Sequence, residues 1–220
     1  MNLTDGLLAS EWVLATWVLF VAVLLHAIRH APWSRLSDGV QQSVWLGTIV
    51  ILTLLWSLKA GVRPGLSLHL LGATVFSLAF GPWLAFIGLC LVLAGVSFND
   101  GGSLQAYAVN ALIMAGVPIA VSMGILRFSE RVLPRQIFVY IFVNAFFGAA
   151  LAISASGLAA CLLLAAAGAY PAEYLFSEYL PYVLLLGFSE AWLSGMVVTL
   201  FVVYRPEWIR SFDDARYLRD

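Results

Sequence analysis

Charge is scarce in this sequence. Only 10% of its 220 residues are Asp, Glu, Lys or Arg, against 62% hydrophobic and a mean hydropathy of +0.96. A soluble domain sits near a quarter charged, so these residues cannot clothe a water-facing surface, and the chain reads as an integral membrane protein. Cysteine is scarcer still, at two residues. Cys90 and Cys161 both lie inside apolar runs, which argues against a disulfide framework or a Cys-rich metal site. The three histidines, His26, His30 and His69, are too scattered to form an acid–base set, and neither HExxH nor a Ser/His/Asp arrangement occurs. No enzyme is expected. GxxxxGK[ST] is missing, so the chain binds no nucleotide of its own. No basic, aromatic-interleaved face points to nucleic acid, and no internal repeat marks an inverted-repeat transporter. The first ten residues carry Asp5 and no basic residue, so the N-terminus reads as a mature start and not as a cleavable signal.

What the chain does have is apolar length. Uncharged stretches run roughly 12–28, 41–58, 66–80, 83–98, 106–126, 137–168 and 180–204, which predicts an all-α polytopic bundle of about seven spans. The third and fourth are short, and Gly81-Pro82 between them predicts a tight turn. The sixth would be about 48 Å long as one helix, so it is expected to be long or bent, with a loosening around SASG at 154–157. With the N-terminus outside, seven spans place Arg29, Arg35, Arg127, Arg131, Arg135, Arg205, Arg210, Arg216 and Arg219 inside, and only Lys59 and Arg63 outside. That asymmetry follows the positive-inside rule, and splitting the sixth run would spoil it. The expected organisation is a single transmembrane domain over 1–204, its segment 1–11 tucked into the bundle, and a short cytoplasmic tail at 205–220.

Polar groups inside lipid are few, and each has two readings. His69, in GLSLHLLGA, is either an interfacial ring bonded to a carbonyl or a metal ligand, imidazole being the commonest one. His26 and His30, four apart on one helix face, could pair on a metal but lack a nearby carboxylate, and read as interfacial residues. Glu190, in GFSEAWLSG, is the one carboxylate deep in a span; metal ligation, proton coupling, a supporting bond and a structural lock all stay open. Asn110 and Asn144 are expected to bond between helices, and Gly148, Ala152, Ser156 and Ala160 to form a small-residue ridge for close helix packing.

Four blocks in order resemble the CbiM/NikM group, the substrate-binding membrane subunits of cobalt and nickel energy-coupling-factor transporters. MNLTDGLLASEW is similar to that group's MHIxDGxLS start, GLSLHLLGATVFSLAFGPW to SGHLLGG…LGPW, FNDGGSLQAYAVNALIM to QDGGxxxLGANxxNM, and GFSEAWLSG to GxGEGxxT. They cover about residues 1–127 and 185–200.

The resemblance implies a substrate-capture subunit for a divalent transition metal, Co(II) or Ni(II), in a bacterial plasma membrane. Its partners would be the lipid bilayer, a transmembrane coupling subunit and ATP-binding subunits. In such proteins the tucked N-terminus offers nitrogen ligands in a plane, which suits Ni(II) or a related Co(II) site. By that resemblance Met1 supplies its α-amine and His69 its ring, with Asp5, Asn110 and Glu190 supporting. The pattern breaks at position 2, where Asn2 stands for the family's His and leaves three of four nitrogens; Ile113 replaces the family's second Asn. The sphere is then either completed by water, Asn2 or Asp5, or the fold persists without transport, as a metal sensor or an assembly partner.

Overall fold

The computed structural model describes residues 3–63, 66–99 and 104–217. Among these, six helices are long and apolar enough to cross a bilayer: α1 Ser10–His30, α2 Gly39–Ser57, α4 Pro82–Asn99, α5 Tyr107–Val132, α6 Ile137–Ala166 and α7 Ala172–Tyr204. Between α2 and α4 lie an antiparallel hairpin, β1 Ala60–Arg63 with β2 Leu66–Leu68, and the short helix α3, Ala73–Phe80. A last short helix, α8, spans Asp214–Tyr217. The fold is an all-α polytopic bundle carrying one small hairpin.

The run 66–80, expected to be a spanning helix, is instead a strand, an irregular stretch at 69–72 and eight residues of helix. Eight residues rise about 12 Å, far less than the bilayer core of about 30 Å. Glycine sets both ends: Gly72 before α3 has φ +64 and Gly81 after it φ +80, and Pro82 opens α4. A Cβ is strained at such angles, whereas glycine is not. The broken element still carries the chain from one face of the bundle to the other. At its start Tyr179 Oη donates to the carbonyl of Ser67, and Arg63 lies over the Tyr174 ring. At its end the amides of Arg210 and Ser211, beyond α7, donate to Ala79 and Leu78. Irregular backbone survives at membrane depth only when protein encloses it. Here Leu66, Ser67, His69, Leu71 and every α3 residue except Val75 are buried.

Around α3 stand α4 to α7, with α1 and α2 peripheral: 11% and 22% of their spanning windows are buried, against 61% for α5. The ridge Gly148, Ala152, Ser156 and Ala160 faces inward, all four buried. Beside it Gly157 admits α7 so closely that a Cβ there would sit 2.3 Å from Val183 Cγ1. Gly157→Ala is therefore expected to lower bundle stability by about 1–3 kcal/mol, the usual range for overpacking. Gly124→Ala, with nothing within 4 Å of its added methyl and inside a helix, is the control and is expected to be neutral or slightly stabilising. Thermal unfolding in detergent reads both.

Helix α6 is one 30-residue element, about 45 Å long. Its loosening lies at Tyr140–Phe147, where the turns widen to π geometry, and not at 154–157, which is regular α-helix. A wide turn shifts the side-chain register. The side chain of Asn144, fully buried inside it, makes no hydrogen bond among the described residues, so the interhelical bond expected of it is not formed.

The segment after α7 folds under α3 and buries Ile209, Phe212 and Tyr217. Tyr140 Oη and Ser211 Oγ share a hydrogen bond of 2.6 Å, Arg216 pairs with Glu130 at 2.8 Å, and Arg35 Nη2 donates to the carbonyls of Glu207 and Trp208. Burial, with the like charge of Arg210 beside it, lowers Arg35 from its ordinary value. The arginines of the 33–38 loop, the α5 end and the tail thus gather on one face.

Candidate metal centre

The opposite face holds the beginning of the chain. Met1 and Asn2 lie outside the described residues; Leu3 is 2% exposed. Its amide donates to Asn110 Oδ1 at 2.9 Å, and Asn110 Nδ2 donates back to the Leu3 carbonyl at 3.0 Å. An extended segment inside a bundle has no helical partner for its N–H and C=O, and burying them unpaired is costly. A side-chain amide carries its donor and its acceptor on separate atoms side by side, so it answers both at once. One turn earlier, the first-turn amide of Ala106 donates to Asp5 Oδ1 at 2.9 Å. Gly6, at φ +82, turns the chain towards α1. Asn110 therefore bonds the N-terminal segment, where sequence alone suggested a bond between helices.

His69 lies at the mouth of the irregular stretch, 5% exposed, its ring centroid 5.0 Å from that of Trp56. Its Nδ1 stands 3.1 Å from the Leu70 carbonyl oxygen. A carbonyl only accepts, so Nδ1 carries the hydrogen and Nε2 keeps its lone pair, which makes Nε2 the nitrogen able to ligate a metal. Trp56 Nε1 donates to the Leu71 carbonyl at 3.0 Å, holding the stretch from the α2 side.

Glu190 holds it from the α7 side. Oε2 accepts the Leu71 amide at 2.8 Å and Oε1 the Gly72 amide at 2.7 Å, with the carboxylate 2% exposed. A carboxylate bonded to two N–H groups is among the stronger buried arrangements. It lies ten residues, about 15 Å, into the α7 stretch that begins at Leu180. Both its oxygens are taken by the loop that carries His69.

The structure thus groups Asp5 and Asn110 on the N-terminal segment, and Glu190 on the His69 stretch. His26 and His30 are elsewhere, on the arginine-rich face. Their rings stack at 4.0 Å, His30 Nδ1 bonds the His26 carbonyl, and Trp83 meets His26 edge-on at 4.7 Å. Among the described residues no group of three or more His, Cys, Asp or Glu gathers around a metal-sized space. Sequence alone does not single out Trp56, Tyr179 or Gly72. Aromatic residues at helical spacing read as core, and only Gly72, following HLL, carried a visible signal.

A family model described as the cobalt uptake substrate-specific transmembrane region, CbiM, matches residues 2–208. The chain is also similar to two solved structures. One, a truncated transition metal transporter, has a TM-score of 0.79 at 21% identity and covers 93% of this chain and 99% of its own. The other, a transition metal transporter, has a TM-score of 0.77 at 21% identity, covering 92% and 93%. At that identity the likeness is one of fold. No curated protein matches the chain.

Proposed function

The chain belongs to the CbiM family, and from that premise we propose that this membrane component of metal uptake is the substrate-capture subunit of an energy-coupling-factor importer for Co(II) or Ni(II). The bundle would stand with the hairpin face outside and the arginine-rich face in the cytoplasm, as the positive-inside rule orients it. ATP-binding subunits and a transmembrane coupling subunit would supply the work, since this chain has no nucleotide motif.

The observation that carries the reading is the reciprocal bond pair between Leu3 and Asn110. It seats the chain's beginning inside the bundle, on the face where His69 opens its stretch. Two residues reach at most about 7 Å, and the proposal requires the α-amine of Met1 to lie within that reach of the seat. The proposed donors are this amine, the backbone nitrogen of residue 2 and His69 Nε2. Nitrogen donors in a plane suit Ni(II) and low-spin Co(II). Asn2 contributes no ring nitrogen, so water or the Asn2 or Asp5 oxygen completes the sphere, and affinity is weaker than a fourth nitrogen would give. Asp5 and Asn110 position the amine; Glu190 positions His69.

An amine ligand cannot survive being turned into an amide. Adding two residues ahead of Met1 is therefore expected to reduce bound Co(II) or Ni(II) from near one equivalent to background, as measured by elemental analysis of the gently purified protein. A metal content unchanged by the extension would favour the rival reading, a non-transporting sensor or assembly partner of the same fold.

A further inference from the structure

We propose that the groove between α1, α4 and α5 binds one anionic phospholipid, its acyl chain lying along α5 and its phosphate at the arginine-rich face. The groove has a volume of about 490 Å³ and is walled by apolar side chains, among them Leu19, Val23, Phe86 and Ala120, with Arg127 at one end. It exists because Gly116 and Ala120, one turn apart on α5, leave that side bare; even a Cβ on Gly116 would come no nearer to Phe86 than 3.8 Å.

Its length fits one leaflet. From Leu112 to Arg127, both lining residues, α5 rises about 22 Å, the depth of one leaflet counted with its headgroup region, half of about 40–45 Å. Its volume would not enclose a helix, since a cylinder about 10 Å across over that length displaces well over 1,000 Å³. A single flexible chain is the occupant this space admits, and a bilayer supplies it.

The polar end selects the headgroup. At Trp83 and Met123 the groove meets a second cavity of about 300 Å³, lined also by His30, Arg210 and Ser211. Glu130 is there too, but Arg216 neutralises it at 2.8 Å. Arg127 and Arg210 make no ion pair among the described residues. Two guanidiniums without an ion pair among the described residues, and an interfacial indole, surround the place where an acyl chain in the groove would put its phosphate. Basic pockets between spans at this level recognise anionic headgroups, and indoles concentrate at headgroup depth.

The test uses the full chain in mild detergent, offered phosphatidylglycerol or phosphatidylcholine with identical acyl chains and followed by native mass spectrometry. One phosphatidylglycerol should be retained in preference to phosphatidylcholine. Arg127→Gln with Arg210→Gln should weaken it roughly 30-fold, about 2 kcal/mol for two basic side chains near a membrane surface. Ala120→Phe fills the groove at unchanged net charge and should release the lipid; Leu19→Trp, from the α1 wall, repeats the test should the first variant unfold. Equal retention of the two lipids overturns the proposal. So does a lipid that survives both groove-filling variants, or one displaced by inorganic phosphate alone, which would mean a headgroup site without the groove. A cross-link from Ala120→Cys to a coupling subunit in native membranes would likewise overturn it, as a protein would then occupy the space.

Discussion

His69→Ala is expected to take bound Co(II) or Ni(II) from near one equivalent to background while the bundle stays folded. The imidazole is the one side-chain nitrogen in the proposed sphere, and with Asn2 in place of a histidine no second ring compensates. Loss of a residue that only supports a ligand costs metal affinity 10–100-fold as an order of magnitude; loss of one of three nitrogens costs more. The structural penalty is local. Among the described residues the His69 ring touches Trp56 and bonds its neighbour's carbonyl, while Trp56 and Glu190 still grip Leu71 and Gly72. Elemental analysis with a melting curve separates the two effects. A variant that keeps both its metal and its melting temperature removes His69 from the site.

Glu190→Ala should do the reverse, striking stability first. It strands the amides of Leu71 and Gly72, both buried. An unsatisfied buried donor costs about 1–3 kcal/mol, so the loss is about 2–6 kcal/mol, and the freed stretch no longer aims His69. Metal affinity falls as a consequence. Glu190→Gln separates positioning from ligation: its carbonyl still accepts one N–H while its NH2 confronts the other, so a positioning residue shows intermediate stability and intermediate metal binding. Metal abolished in Gln at wild-type stability would make Glu190 a ligand. A Glu190→Ala protein that melts with the wild type would dismiss the clamp altogether.

Where the sequence misleads, the reason is visible in particular residues. The run 66–80 contains no charge and so reads as a span, yet Gly72 and Gly81 cut it to eight helical residues. Hydropathy registers that a segment is buried, not whether lipid or protein buries it, and this one is wrapped by four helices. Asn144 and Asn110 look alike in sequence, each a lone amide in an apolar run. One lies unpaired in a widened turn, and the other holds the chain's beginning. The tail reads as a polar appendage, yet Ile209, Phe212 and Tyr217 pack it beneath α3; three apolar residues among charges show no period that would announce it.

By itself the sequence determined the solvent, the helical class and the family. Those follow from composition, from runs of apolar residues and from short blocks, all of which are local quantities. Only the tertiary structure decided which polar groups meet. Leu3 and Asn110 are 107 positions apart, Gly72 and Glu190 118, and Leu71 and Glu190 119. The physical reason is that a bilayer gives every helix an apolar exterior regardless of its neighbours, so hydrophobic pattern cannot specify which helix lies beside which. That choice rests on a few buried hydrogen bonds and on the close approach allowed by residues such as Gly157, and both become legible only once the helices are side by side.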